Sequence, residues 1–365
     1  VRVASVAADR IRSLTRVEVP LDPRLTAIVG PNGAGKTNLV EAVYFALTGR
    51  SFRTGDRRDM IPFGDSWARS RVKVEDGGGA ERHEFLASIS RDQGTRYNMD
   101  GAPVDRASAL NNRPMVTVFS PDRLEIVKGP PTVRRAHLDT YVAARWPARA
   151  ETRVRFGRAL AQRNALIARI NSGRGDASQL GPWDRQVSET GAALTRVRQE
   201  AVSELADPYA RAAEDLGLEG RNQVVYRAAA VSEAAEFEQE LARRLDADLK
   251  LGRTGWGPHH DEIRLELDGR QLRRFGSQGQ QRLGLLSLLF AERDGLLAGG
   301  STPPLMLLDD VMSELDGDRR KRLIERLLEG GQSVVTAAES DLIPSSDRFT
   351  ELAIEDLVAE PEWGT

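Results

Sequence analysis

GPNGAGKT, running from Gly30 to Thr37, follows the continuously apolar stretch Leu25–Val29 and precedes the helical pattern Asn38–Leu47. A glycine-rich turn between a buried strand and a helix marks a nucleotide-phosphate loop. Gly30, Gly33 and Gly35 let the backbone curl so that amides face phosphate oxygens. Pro31, Asn32 and Ala34 complete the loop, and the helix starting near Lys36 adds its N-terminal dipole. Lys36 can reach the β- and γ-phosphates, and the Thr37 hydroxyl is the natural Mg²⁺ ligand. The class this implies is α/β.

A phosphate loop needs an acidic partner on a neighbouring strand. The apolar run Leu305–Leu308 ends in Asp309 and Asp310. Asp309 is expected to hold magnesium, through water. Asp310 is expected nearer the γ-phosphate, where it can orient or activate the attacking water. A second anion site is read at GSQGQQ, Gly276–Gln281, just before an apolar helix pattern. There Ser277 and Gly279 put a hydroxyl and exposed amides at a helix N-terminus, with Gln280 beside them. Two phosphate-facing surfaces suggest a nucleotide held between them.

The 365 residues can bury a sizeable core and hold two or three units. Apolar content of 40 % and charged content of 29 % suit a soluble globular protein. With no cysteine, disulfides, thiol chemistry and cysteine-metal sites are excluded. No apolar stretch approaches the length of a membrane span, and the N-terminus alternates apolar and polar residues, unlike a signal peptide. A cytoplasmic location is expected.

Three stretches follow from the patterning. Residues 1–130 read as strands around one helix: Arg2–Val6, Arg16–Pro20, Leu25–Val29, Arg71–Glu75, Glu84–Ile89 and Met115–Phe119, with a turn at Asp76–Ala80 and a hairpin tip at Asn98–Pro103. Residues 131–250 are rich in Ala, Arg, Leu and Glu at helical spacing. Helices are expected over Thr132–Ala144, Glu151–Ile170, Trp183–Gly217 with a break near Pro208, and Ser232–Leu249. A loop is expected at Asn171–Asp176. Residues 251–365 return to short elements: strands Glu262–Leu267, Leu305–Leu308 and Ser333–Thr336, a turn at Asp268–Gly269, and helices Gln280–Phe290 and Asp318–Leu328.

The order GPNGAGKT, Ser277–Gln280, Leu307–Asp310 and Ser313–Asp316 resembles ABC-type ATPase heads, in the subgroup of SMC and Rad50. Within it, the chain is similar to the RecF family. The stretches that carry this are Gly49–Arg53, Val118–Pro121 with Val127–Gly129, Arg134–Arg135 with Leu138–Asp139, Gly257–His259 with Asp261, and DDVMSELD from Asp309 to Asp316. The resemblance implies an ABC-type head of mixed β-sheets and helices carrying a mainly helical insertion. The head is expected in 1–130 and 251–365 and the insertion in 131–250. It implies ATP and Mg²⁺ as cofactors, slow hydrolysis, and an ATP-dependent homodimer. In that dimer Ser277 and Gly279 act across the interface, and Ser313 and Asp316 belong to the crossing loop. It also implies double-stranded and gapped DNA as partners, a nucleoid association, and work with RecR and RecO in placing RecA on gaps. A Rad50- or SMC-like clamping ATPase and a transporter ATPase subunit are the competing readings. The short middle region and missing cysteine hook argue against Rad50, and the length against SMC. Ser-Gln-Gly-Gln at 277–280 argues against a transporter. Two departures favour a switch over a fast engine: Asp310 replaces the usual glutamate, and Ser333–Glu339 holds no histidine.

Between 131 and 170 stand nine arginines and no lysine against Asp139 and Glu151, a local excess of seven positive charges in a chain of net −2. Arg134, Arg135, Arg145, Arg149, Arg153, Arg155 and Arg158 are candidates to grip DNA phosphates without reading sequence. His259, His260 and Asp261 have no ligand spacing for a transition metal with His83 or His137. Arg50 and Arg53 are open to either a ligand contact or a structural ion pair. Trp67, Trp146, Trp183 and Trp256 read as packing residues.

Overall fold

A strand buried on both faces reads as an unbroken apolar run, and four such runs meet in one parallel sheet. Its order is Thr350–Ala353, Leu25–Val29, Ser333–Ala337, Leu305–Leu308, Val116–Phe119. All of its neighbours run parallel, with Val29 opposite Ala337 and Leu308 opposite Phe119. The carboxyl ends therefore lie together, which is where parallel sheets collect ligands. The computed structural model describes residues 2–75, 82–105, 113–120, 124–344 and 346–357. The expected turn at Asp76–Ala80, and Pro121 of the Val118–Pro121 motif, lie outside them.

A second, antiparallel sheet has six strands in the order Leu14–Pro20, Arg2–Ile11, Trp67–Glu75, Arg82–Ser90, Gly94–Met99, Ala102–Val104. A register shift between Val3 and Ser5 lets Val3 and Val6 both face inward, and Arg10 at φ +55° marks the second break in alternation, between Ala8 and Ile11. Helix Lys36–Thr48 buries Leu39, Val40, Val43, Phe45 and Leu47 in the apolar cluster it shares with strands of both sheets. The buried Ser70 is satisfied by donating to the Ala42 carbonyl of that helix at 2.8 Å.

The chain divides into two compact units, residues 1–123 with 302–365, and residues 124–301. The expected head boundary at 250 differs from this division. Residues 251–301 fall in the second unit, where helix Gln278–Ala298 packs on helix Gly181–Asp215. That second helix is continuous through Pro208, contrary to the expected break. Proline in a helix interior costs about 3 kcal/mol. Here Leu205, Tyr209, Ala212 and Ala213 are all buried around it, and packing of that extent outweighs the lost backbone bond. The expected helix Ser232–Leu249 is instead two, Ala234–Arg243 and Leu245–Leu251, parted at Arg244.

Several strands were not foreseen, two of them in stretches given no strand pattern at all. Asn222–Arg227 lies inside the stretch read as helical and pairs antiparallel with Glu262–Leu267, placing Val224 opposite Leu265. Thr350–Ala353 adds to the edge of the parallel sheet. Both are short and carry polar residues, so neither shows a clear period of two.

Candidate functional site

The loop Gly30–Thr37 leaves strand Leu25–Val29 at its carboxyl end and enters helix Lys36–Thr48. Glycine is required at its first position. Gly30 has φ +147°, and a Cβ there would stand 2.5 Å from Ile354 Cγ2. Gly35 sits at the helix N-cap in the left-handed region, φ +105°. No side chain caps this helix and no acid lies in its first turn, so its positive end is free to serve an anion. Lys36 is buried and folds back over the loop, donating to the carbonyls of Gly30 at 2.6 Å and Pro31 at 2.9 Å. Burial lowers its pKa, and the charges of Asp310 and Asp309 offset part of that fall.

The sheet brings Asp309 to this loop from 272 residues away. Thr37 Oγ1 donates to Asp309 Oδ1 at 2.9 Å, and Thr336 Oγ1 donates to the same oxygen at 2.9 Å. Burial pushes the Asp309 carboxyl up; the two hydroxyl bonds oppose the rise and the neighbouring Asp310 adds to it. A hydroxyl and a carboxylate side by side at a helix start, beneath an amine, form the donor set that suits Mg²⁺. Asp310 is held in an uncommon backbone conformation, φ +48°, with its N–H donated to Thr336 Oγ1 at 2.9 Å. Its Oδ1 is buried and has no hydrogen-bond partner, as a group waiting for water or cation would be. Thr37, Asp309 and Asp310 thus fit a magnesium-bound triphosphate. All three line one cleft of about 630 Å³ with Asn32, Gly33 and Lys36, a size usual for small-molecule sites.

Thr336 is the residue that sequence reasoning passed over. Its strand was read for a missing histidine, while its hydroxyl links both acids. Arg12 and Glu41 were also missed. Glu41 is fully buried on the first helix and takes Arg12 in a two-pronged pair at 2.9 and 3.0 Å, with Ser51 as a further donor. A buried glutamate on an apolar helix face was the available signal. Arg53 lines the cleft and also bonds Asn38 Oδ1 at 2.9 Å and Glu41 at 3.5 Å, so the ion pair and the cleft position coexist.

Ser277 caps helix Gln278–Ala298 in a reciprocal box. Its Oγ accepts from the Gln280 N–H at 3.2 Å, and Gln280 Oε1 accepts from the Ser277 N–H at 2.9 Å. Ser277 and Gly279 are exposed. In the other unit, Ser313 is exposed and donates to the Asp310 carbonyl at 3.1 Å. Asp316 caps helix Gly317–Leu328 by accepting from the Arg319 N–H at 2.9 Å.

The arginine run separates into two classes. Arg134 is buried against Glu262 at 2.8 Å and the carbonyls of Val127 and Gly129, which corrects its reading as a DNA contact. Arg135 donates to the Asp261 carbonyl, and burial lowers its pKa. Arg145 pairs with Glu204 at 2.7 Å. Arg149 pairs with Glu200 at 2.5 Å and stacks over Trp146, yet keeps part of its surface. Arg153 approaches Asp139 at 3.3 Å and stays 62 % exposed. Arg155 and Arg158 are exposed on helix Thr152–Asn171.

Asp261 is a buried hub, accepting from Arg198 at 2.8 Å, Tyr226 at 2.5 Å and the Ala229 N–H at 2.9 Å. His259 bonds the Thr254 carbonyl and stacks on His260. Among the described residues no cluster of three His, Asp or Glu could hold a metal. No helix of the described residues is long and apolar enough to cross a membrane. Trp67 lies beneath Arg10 and Trp256 against Phe237, as packing residues do.

Residues 2–358 match the model of the RecF/RecN/SMC N terminal domain. The chain is 36 % identical over 353 residues to the DNA replication and repair protein RecF of Anaeromyxobacter sp. (strain Fw109-5), covering 94 % of each. It is 36 % identical over 361 residues to that of Streptomyces avermitilis, covering 94 % and 95 %. Among solved structures it resembles the recombination mediator protein RecF with ATP in the RecFOR pathway, at TM-score 0.79 and 26 % identity over 93 % of this chain and 92 % of that one. An SMC head bound to a winged-helix domain of ScpA shares the fold, at TM-score 0.61 and 15 % identity over 98 % of this chain and 99 % of that one. With this family model and these relatives covering nearly its whole length, the chain belongs to the RecF family of DNA replication and repair proteins, in the class of ABC-type ATPase heads shared with SMC.

Proposed function

We propose that this chain is an ATP-dependent DNA-binding switch of recombinational repair. The observation that carries the reading is the meeting of Thr37 with Asp309 at 2.9 Å beside an unpartnered Asp310 oxygen, at the mouth of the phosphate loop. Lys36 turns from the loop carbonyls to the β- and γ-phosphates, and Thr37 and Asp309 hold Mg²⁺. The metal supplies charge neutralisation on the phosphates. Asp310 orients the attacking water, and turnover is slow, Mg²⁺-dependent and DNA-stimulated.

ATP binding drives head-to-head homodimerisation, with Ser277, Gly279 and Gln280 of one copy facing the nucleotide of the other, and Ser313 and Asp316 in the interface. The exposure of Ser277 and Gly279 at a helix start supports this. The dimer grips double-stranded or gapped DNA through Arg149, Arg153, Arg155 and Arg158. With RecR and RecO it promotes RecA loading at single-strand gaps. The RecF names of the relatives and the RecFOR title of the ATP-bound neighbour support this assignment.

The deciding experiment measures the monomer–dimer distribution and gapped-DNA binding with and without ATP. Lys36→Met is expected to abolish the ATP-induced dimer by losing the triphosphate. Ser277→Arg is expected to abolish it with nucleotide still bound. Normal ATP-induced dimerisation of Ser277→Arg would refute the trans arrangement.

A further inference from the structure

The histidine pair within Gly257–Asp261 takes no part in the nucleotide site, yet its placement is tightly determined. Gly257 has φ +143°, and a Cβ there would stand 3.1 Å from the His259 ring. His259 lies against Phe156 of helix Thr152–Asn171 with ring centroids 6.0 Å apart, and His260 lies against His259 at 4.3 Å. The His260 N–H is held by the Gly257 carbonyl at 2.9 Å, and the residue is exposed. Two arginines approach it from other elements. Arg135, on helix Pro131–Arg145, is fixed by donating to the Asp261 carbonyl at 2.7 Å. Arg253 is exposed on the bend after helix Leu245–Leu251, where its N–H bonds the Asp248 carbonyl at 3.1 Å.

The acids nearby are already engaged. Arg198 bridges Asp139 and Asp261 at 2.8 Å each, Arg134 holds Glu262 at 2.8 Å, and Arg163 holds Asp248 at 2.6 Å. Burial, and then repulsion from Arg135 and Arg253, lower the His260 pKa; the buried Asp261 opposes them. His259 beside it is held neutral by burial, with a pKa of about 4.

We infer that Arg135, Arg253 and His260 form a seat for one backbone phosphate of duplex DNA, and that protonation of His260 tightens it. The inference rests on the DNA-binding reading. Guanidinium and imidazolium N–H groups donate to phosphate oxygens, and an anion between them removes their mutual repulsion. Arg153, one turn before Phe156 and 62 % exposed, carries the cationic side onward along its helix. A phosphate in the seat makes His260 more basic, so DNA binding takes up a proton. Affinity therefore rises as pH falls across the histidine range, and levels off once His260 is protonated in the free protein as well.

The test measures duplex-DNA affinity over a salt series at about pH 8 and about pH 6, with magnesium and ATP present. It compares wild type, Arg253→Ala, His260→Asn, His260→Arg and the double variant Arg155→Ala/Arg158→Ala. Wild type is expected to bind about 3- to 10-fold tighter at the lower pH. His260→Arg should bind tightly at both pH values and His260→Asn weakly at both, each without that pH response. Arg253→Ala should lower the slope of log affinity against log salt by about 1. A wild-type pH response in both His260 variants, or wild-type affinity and slope in Arg253→Ala, would overturn the seat. If the Arg155/Arg158 variant then still binds weakly, the DNA-binding reading stands without it. No binding of duplex by wild type at low salt would remove that reading and this inference together.

Discussion

Replacing Asp310 by glycine is expected to stabilise the nucleotide-free protein while ending hydrolysis. The side chain carries two costs. Its φ of +48° places an L-residue in the left-handed region, worth about 1 kcal/mol for an aspartate, which tolerates that region better than most. Its Oδ1 is buried without a partner, a cost of about 1–3 kcal/mol for a fully enclosed group, and less here because the residue is half-buried. Glycine removes both but loses about 0.5–1 kcal/mol to its own backbone entropy. The net gain is about 1 kcal/mol, which raises Tm by about 2–4 °C for a unit of this size. Hydrolysis is expected to fall about 10²–10⁴-fold, the usual contribution of a positioned base. Asp310→Asn separates the two effects, since it keeps the shape and the tolerance of left-handed backbone but loses the charge. It should gain less stability and lose hydrolysis equally. The assays are thermal unfolding without nucleotide and single-turnover hydrolysis with ATP binding measured in parallel. A lower Tm in Asp310→Gly, or wild-type hydrolysis in either variant, would refute the reasoning.

Alanine at both Arg155 and Arg158 should weaken DNA binding and lower the slope of log affinity against log salt by about 2, with Tm unchanged because both are exposed. Arg134→Ala should instead show up as instability, since it strands Glu262 in a partly buried pair. Arg163→Leu is expected to destabilise the protein by about 3–5 kcal/mol, read by urea unfolding. It removes the fully buried partner of Asp184 and Asp248, both at 2.6 Å. His259 gives a pH dependence: burial and the neighbouring His260 lower its pKa to about 4 from 6.5. The unfolded chain therefore takes up this proton first as pH falls, and stability is lost between about pH 6.5 and pH 4. The full shift corresponds to about 3 kcal/mol, and partial exposure reduces it to about half that. Unfolding midpoints of His259→Phe should fall less steeply over this window than those of wild type; parallel curves would remove His259 as the cause.

The parts of the site that are contiguous in sequence were legible there. A loop such as Gly30–Thr37 closes its geometry through neighbours, and an apolar run ending in Asp309–Asp310 declares both the strand and the acids at its end. Arg134 shows the opposite case. Its charge invites a surface reading, yet it sits on helix Pro131–Arg145 and pairs with Glu262, 128 residues on. Only the fold supplies that partner. Thr336 was hidden for the same reason, as a hydroxyl in the apolar strand Ser333–Ala337 has no local signature until the sheet sets it beside Asp309 and Asp310. Pro208 shows the limit of propensity, where burial along one face of helix Gly181–Asp215 overrode a local breaker.

The backbone around Asp310 is gripped from two directions. Thr336 on the neighbouring strand fixes its N–H at 2.9 Å, and Ser313 donates to its carbonyl at 3.1 Å. A residue in a sparsely populated conformation keeps it only where surrounding bonds determine it. One of these bonds comes from the same unit's core, because Thr336 also holds Asp309. The other comes from Ser313, an exposed side chain on a turn anchored by the buried Val311, Met312 and Leu315. On the proposed reading Ser313 lies where a second copy docks. Docking would then act on the water-orienting carboxylate through a single hydrogen bond, without moving the phosphate loop or the magnesium ligands. Hydrolysis and nucleotide binding can in this way respond separately to dimerisation, which is what a switch requires and a fast motor does not.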